Sequence, residues 1–315
     1  MSILSQPHFH NEEAAYERIE SIVWPDGPVC PHCGNVKADR IHRIEGKTAR
    51  KGLLRCNECG EQFRVTVNTI FEHSKIPLHK WFQAAHLLAS SKKGISSHQL
   101  HRTLRVTYKT AWFMTHRLRE AMRDGHFSAP LGGEGNAVEM DETFVGGLEK
   151  NKHRSKRQHR GTGGAGKEAV YALVERGGTV RSHHVPAVTA DNLKPIIEAH
   201  IDGATVVYTD EGATSKGLGR LFEKHESVNH SIGEYVRGDA HTNTIEGYFS
   251  ILKRGIHGVY HQVSQQHLRR YLAEFDFRYN ERATLGVNDT DRTVKALSGI
   301  VGKRLMYKDS SLPAA

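Results

Sequence analysis

The sequence predicts a multidomain chain: an N-terminal ribbon, a helical segment of helix-turn-helix type, and an α/β domain with a mixed sheet. Three observations carry the prediction. Four cysteines fall in two pairs, "CPHCG" and "CNECG". From Pro77 to Met122 the apolar residues recur at helical spacing. Beyond Asn136, strand-like runs are interleaved with helix-like ones. With 315 residues, the chain has room for two or three domains of roughly 100–150 residues each. The expected divisions are 1–72, 73–125, 136–285 and a tail, 286–315.

Residues 11–22 read as a short helix capped by Asn11, with acidic residues in its first turn. "WPDG" then turns the chain into the ribbon. Two C-x-x-C knuckles, each followed by Gly, are the signature of one tetrahedral zinc site held by Cys30, Cys33, Cys56 and Cys59. The glycine permits the sharp turn that aims both thiolates inward. Twenty-two residues lie between the knuckles, enough for a hairpin. Four thiolates close the coordination shell, so this zinc is structural. Two disulfides are the alternative; "MSILSQPHFH" does not read as an export signal, and cytosolic thiols stay reduced. His32 lies inside the first knuckle and could substitute for a ligand. "EQFRVTVNTIF" alternates as the last strand of the ribbon.

"PLHKWFQAAHLLASS" sets Leu78, Trp81, Phe82, Ala85 and Leu88 on one side of a helix. "SSHQLHRTL" is a short helix with a serine cap, and a longer one begins at Thr107 and runs to Met122. Three helices with a tight junction before the last resemble a helix-turn-helix. Tyr108, Lys109, Thr115, Arg119 and Arg123 are polar positions of the last helix, of types suited to phosphate and base edges. Lys109 and Arg119 are the expected DNA contacts. A plain three-helix linker is the alternative.

After a Gly- and Pro-rich linker, 124–136, come the strands "AVEMDETFVGG", "EAVYALVERGG" and "TVRSHHVPAV", the last two joined at a Gly-Gly turn. "DNLKPIIEAHI" is a helix with Asp191 as its cap. "ATVVYTDEGA" has the apolar character of a buried parallel strand. "SKGLGRLFEKH" reads as helical and "ESVNHSI" as a strand. With the helix-like segment 241–255 after it, the order is β-β-β-α-β-α-β-α, which gives a mixed sheet flanked by helices, and 264–282 is a final amphipathic helix. The insert 150–166 carries six Lys or Arg and no acid in its first eleven residues. It reads as a phosphate-contacting arm or as a solvated loop.

Hydrophobic content is 37% and charged content 25%, which is globular rather than disordered. No run of 18 apolar residues is present, so no membrane span is expected. The net charge of +9, from 44 basic and 35 acidic residues, favours a polyanionic partner, nucleic acid first.

In "HTNTIEGYFSILKRG", Ile245, Phe249, Leu252 and Ile256 mark one apolar face. Asn243, Glu246, Ser250 and Lys253 form a second stripe beside it. Glu246 and Lys253 are two turns apart, roughly 10 Å, too far for a helical ion pair. Two further carboxylates occupy strand positions: Asp141 in the first strand, and Asp210 at the end of an apolar one. Ligands of open α/β sheets bind at the carboxyl ends of strands. A charge in a core strand also needs a partner or a metal.

"MDETFVGG", "YTDEGA" and "HTNTIEGYFSILKRGIHGVYHQVSQQHLRRYLAEFDFRYNER" resemble the catalytic motifs of bacterial insertion-sequence transposases with a DDE triad, of the insertion-sequence-1595 type. The resemblance spans nearly the whole chain, ribbon and helical segment included. It implies a ribonuclease-H-like catalytic domain in which Asp141, Asp210 and Glu246 hold two Mg²⁺ or Mn²⁺ ions. It also implies that Lys253, with Arg254 beside it, touches DNA at the active site. Asn243 is the alternative third group, since some members are described with Asn or His there; charge and spacing to Lys253 favour Glu246. Glu139, on the same strand face as Asp141, is the expected extra carboxylate near the metals, while Glu142 and Glu211 are expected to be structural. The implied activity is metal-dependent cleavage at element ends and transfer of the 3′-hydroxyl to target DNA, by a dimer or larger assembly in the bacterial cytosol. A transposase-derived DNA-binding regulator and a structure-specific nuclease on the same fold are the competing readings.

Overall fold

The computed structural model describes residues 2–123, 129–147, 151–157, 164, 166–210, 217–218, 221–222, 224–228 and 236–306, save for the side chain of Lys156. The chain forms two compact units. One comprises Met1–Arg123 with Arg282–Ala315, the other Asp124–Glu281.

In the first unit, helix α1 (Glu12–Val23) is capped as its sequence predicts: the Asn11 side chain accepts from the N–H groups of Glu13 and Ala14. Strands β1 (Ile41–Arg43), β2 (Leu54–Cys56) and β3 (Gln62–Phe63) make an antiparallel ribbon. The third strand is far shorter than the 61–71 expected from its alternation. Arg64 O accepts from Val67 N–H, and Asn68 takes a left-handed φ of 56°, so the chain turns away from the ladder. Val65, Ile70 and Phe71 are buried in these turns, which is why the segment looked strand-like.

Helices α2 (Leu78–Ser90), α3 (Ser97–Leu104) and α4 (Tyr108–Met122) follow, with Ser96 and Thr107 as side-chain caps. Arg105 closes α3 in the left-handed region, φ 50°, so the α3–α4 junction is as tight as expected. Beyond Arg282 the chain adds α8 (Asp289–Ser298), an element the sequence reading left as tail. Its Thr293 hydroxyl lies 3.0 Å from Nδ1 of His86 on α2.

The second unit holds a five-stranded sheet. Its strands are β4 (Ala137–Val145), β5 (Glu168–Glu175), β6 (Val180–Val185), β7 (Val206–Asp210) and β8 (Lys224–Val228), in the order β6-β5-β4-β7-β8. β4, β5 and β6 pair antiparallel as a meander; β7 lies parallel to β4, and β8 parallel to β7. The sheet is therefore mixed, as predicted. β8 begins at Lys224, inside the stretch expected to be helical; residues 215, 216, 219, 220 and 223 of that stretch lie outside the described residues.

The helices α5 (Ala190–His200), α6 (Asn243–Gly255) and α7 (Gln265–Asn280) cover both faces. The N-cap position of α5 is Thr189, two residues before the expected Asp191, which sits in the first turn. The faces follow the two-residue period of the strands. Val170, Ala172 and Val174 pack with Ile245, Phe249, Leu252, Leu268 and Leu272 of α6 and α7. Ala169, Tyr171 and Leu173 pack with Leu193 and Ile197 of α5. Val138 and Met140 belong to the α5 side, so Glu139 and Asp141 face α6.

Tyr248 ties these layers together. Its hydroxyl donates to Asp276 Oδ1 on α7 at 2.5 Å and contacts Ser182 Oγ on β6 at 3.1 Å. Burial pushes the Asp276 carboxyl up to about 7, against the hydrogen bonds from Tyr248 and Ser182. Tyr248→Phe removes one of these donors from a buried acceptor. It is expected to destabilise the unit by about 1–3 kcal/mol, read from urea unfolding followed by circular dichroism.

Candidate active site and thiolate centre

The four cysteines are free thiols whose sulfurs all lie within 4.8 Å of one another. Cys30 Sγ and Cys59 Sγ are 3.7 Å apart, as are Cys33 Sγ and Cys56 Sγ. Each knuckle closes on its glycine: Gly34 N–H donates to Cys30 O and Gly60 N–H to Cys56 O, at 2.9 and 2.8 Å. Both glycines are left-handed, φ 74° and 76°, a conformation that strains any residue with a Cβ. Burial works against the Cys56 thiolate, but the backbone N–H groups of Cys59 and Glu58 outweigh it and bring the thiol down to about 6. Four soft donors at this spacing, with a thiolate available at neutral pH, fit a tetrahedral Zn²⁺. Cys59→Ser is expected to lower the bound zinc measured by elemental analysis. It should also lower the melting temperature of the first unit, because binding energy at such a site is folding energy.

Two other expected contacts in this unit part company. Lys109 is exposed in the first turn of α4. Arg119 is buried at 1% exposure, donating to the hydroxyl of Thr115, itself fully buried. α4 packs against α2, α3 and α8, so most of its circumference is interior. A guanidinium held there is out of reach of a DNA phosphate, and Arg119 is removed from the DNA contacts.

In the second unit, the three carboxylates come from three elements. Asp141 is the fifth residue of β4 and Asp210 the last of β7. The parallel register pairs Met140 with Thr209, so the next rung sets Asp141 beside Asp210 on the α6 side of the sheet. Glu246, exposed, lies in the first turn of α6, and its Oε1 accepts from the Thr242 hydroxyl at 3.1 Å. The Asp141 carboxyl is pushed up to about 8. Burial is the largest cause, followed by the charge of Asp210 and, less strongly, of Glu142 and Glu246; the Glu142 N–H, 2.7 Å from Oδ1, opposes the rise. Tyr171, beneath them, is raised by burial and then by Glu142, Asp141 and Asp210. The three groups therefore share one electrostatic neighbourhood. They do not close into a compact ligand cluster; among the described residues the cysteines alone do so.

Lys253 and Arg254 are exposed two turns further along α6, and Asn243 is exposed at its first position. A π turn, Ile256–Tyr260, follows them. Within the basic insert the described residues are 151–157, 164 and 166; Arg154–Lys156 form a short 3₁₀ turn, and Glu211 lies outside the described residues.

Glu139 lies on the face of Asp141, as expected, with its carboxylate engaged by protein donors. It is wholly buried, and its carboxylate accepts from Arg176 Nε (2.7 Å), the Thr244 N–H and hydroxyl (both 2.8 Å) and the Ile245 N–H (2.9 Å). Thr242, the N-cap residue of α6, makes no capping bond; Glu139 serves instead, from 105 positions away. Arg176, Thr242 and Thr244 were missed from the sequence. Arg176 sits beside a hairpin turn with no local pattern to mark it, and "HTNT" reads as an ordinary polar run before a helix.

Residues 130–280 match the family model of an ISXO2-like transposase domain, and residues 10–62 that of a transposase zinc-ribbon domain. The chain is also 30% identical over 282 residues to a protein in transposable element ISH50 of Halobacterium salinarum, covering 86% of this chain and 91% of that one. The chain belongs to the insertion-sequence-1595 family of transposases. The first match encloses the whole mixed sheet with α6 and α7, and the second encloses all four cysteines. Among the described residues, no helix of this transposase-family chain is long and apolar enough to cross a membrane.

The crowding at Asp141 has a consequence for stability. With a folded pKa of about 8, the group keeps its proton across roughly pH 4–8, where the unfolded chain has lost it. Its contribution is therefore present at low pH and lost as pH rises through that window. Without divalent metal, Asp141→Asn is expected to raise the melting temperature at pH 8, by roughly 2–4 °C per kcal/mol relieved, and to change little at pH 4. Scanning calorimetry at the two pH values checks this.

Proposed function

We propose that this chain is the transposase of an insertion sequence, cutting DNA at the element's ends and joining the freed 3′-hydroxyl to target DNA. The observation that carries the reading is the meeting of Asp141, Asp210 and Glu246 on one side of the sheet, from two adjacent parallel strands and the helix that covers them. We assign a ribonuclease-H-like fold to the second unit; the strand order, a three-stranded meander followed by two parallel strands, supports that reading.

Asp141, Asp210 and Glu246 would hold Mg²⁺ or Mn²⁺. Carboxylates suit hard cations, and a group of mutually repelling carboxylates gains most when a divalent charge offsets the repulsion. Bound there, two such ions supply charge neutralisation at phosphorus and an activated oxygen nucleophile for in-line displacement. Water attacks the phosphorus and the 3′ oxygen leaves, taking a proton to become a hydroxyl. In the second step that hydroxyl attacks a target phosphorus, and the target's own 3′ oxygen leaves. Neither step needs a covalent protein intermediate. Lys253, exposed on the stripe that carries Glu246, faces the DNA backbone as a point charge, with Arg254 beside it. The thiolate centre with Zn²⁺ and the α3–α4 pair, with Lys109 outward, form a DNA-binding part. Joining two element ends calls for at least a dimer.

The test is cleavage and joining of an element-end DNA with Mg²⁺, alongside DNA binding. Asp210→Asn and Glu246→Gln are each expected to lower cleavage by roughly 10²–10³-fold or more while binding persists. Lys253→Ala should weaken binding and reduce its salt slope by about one. Binding without cleavage by the wild type would favour the regulator, and cleavage without joining the nuclease. Normal cleavage by Glu246→Gln would move the third role to Asn243.

A further inference from the structure

Glu139 has no free lone pair for a metal. A carboxylate offers about four acceptor directions, and four hydrogen bonds from Arg176, Thr244 and Ile245 take them; His241 Nδ1 stands 3.3 Å from Oε1 as well. The pair it forms with Arg176 reaches every element that carries a catalytic carboxylate. Glu139 is two residues before Asp141 on the same face of β4. It is paired in register with Tyr208, two residues before Asp210 on β7, and the Arg176 guanidinium lies 4.2 Å over the Tyr208 ring. On α6 it holds the amides of Thr244 and Ile245, the two residues before Glu246. Arg176 also donates to the carbonyls of Asp239 and His241, both at 2.8 Å, fixing the chain that leads into α6.

We propose that the Glu139–Arg176 pair is a positioning device for the divalent-metal site: it fixes the separation of Glu246 from Asp141 and Asp210, and contacts no metal itself. The inference rests on the assignment of those three residues as ligands. A helix entry that shifts by a fraction of an ångström moves Glu246 while leaving the two strand aspartates in place. Groups that orient metal ligands commonly alter metal affinity by roughly 10–100-fold when removed.

The experiment is a Mn²⁺ titration of the full-length, zinc-loaded protein, followed by electron paramagnetic resonance of the free ion. Wild type is compared with Glu139→Gln, Thr244→Val, Asp210→Asn and Glu246→Gln, with amide exchange of α6 measured on each. Glu139→Gln is expected to weaken Mn²⁺ binding at least about tenfold. Exchange at Thr244 and Ile245 should quicken, and cleavage should recover at high Mn²⁺, which a lost ligand would not allow. Thr244→Val deletes only the hydroxyl bond to Glu139 and should weaken Mn²⁺ a few-fold; it decides the matter if Glu139→Gln does not fold. A lowered melting temperature with unchanged Mn²⁺ affinity of the folded protein would reduce the pair to a structural ion pair and overturn the proposal. Loss of Mn²⁺ binding without faster exchange at Thr244 and Ile245 would make Glu139 a ligand and also overturn it. If Asp210→Asn and Glu246→Gln bind Mn²⁺ like the wild type, the triad assignment itself fails, and this proposal with it.

Discussion

One buried carboxylate organises the second unit. Glu139 sits inside the sheet with no exposure to water and meets the positive end of α6 on one side and the Arg176 guanidinium on the other. A charge in that position is tolerable only when its acceptor directions are filled, and removing one partner of such a pair commonly costs about 3–5 kcal/mol. The helix needs the same bond for its own reason. Its first amides have no intrahelical acceptors, and Thr242 does not supply one. The two deficits cancel in a single contact between β4 and α6. Packing of Ile245, Phe249 and Leu252 onto Val170, Ala172 and Val174 holds the helix on the sheet, but apolar contact alone is not directional. The hydrogen bonds fix where along the sheet it starts.

The two centres of this chain are built by opposite routes. The thiolate centre is local: each C-x-x-C brings two sulfurs together through one turn, closed by a left-handed glycine. A hairpin then suffices to bring the turns together, and the resulting cluster is compact. The carboxylate group is non-local. Its members lie on β4, β7 and α6, and parallel pairing of β4 with β7 requires a crossover, made here through β5, β6 and α5. Burial first, and then the charge of Asp210, raise the Asp141 carboxyl.

Charged residues mislead most where a helix is packed on several sides. Arg119 and Thr115 read as outward positions because their side chains are of types suited to phosphate and base edges. Yet α4 is covered by α2, α3 and α8, and both side chains turn inward. Arg117, on the same helix, is buried too and donates to the carbonyls of Ile70 and Glu72, which the turns after β3 leave without ladder partners. The charge that reads as a DNA contact in one dimension can serve, in three, to satisfy buried backbone. Glu139 follows the same logic with the opposite sign.

The sequence by itself determined the elements and the ligands that depend on short range. The Asn11 and Ser96 caps, the two knuckles, the five strands of the mixed sheet and the apolar face of α6 were all legible, because each rests on spacing within a few residues. The alternation of the strands also told which residues share a face, and so brought Glu139 and Asp141 to the same side. Only the tertiary structure decided what those faces meet. The early end of β3, the inward turn of Arg119, the helix α8 closing on α2, and the use of Glu139 as a cap for a helix 105 positions away all depend on partners distant in the chain. A buried polar group takes whichever partner the fold brings to it, and local pattern carries no record of that choice.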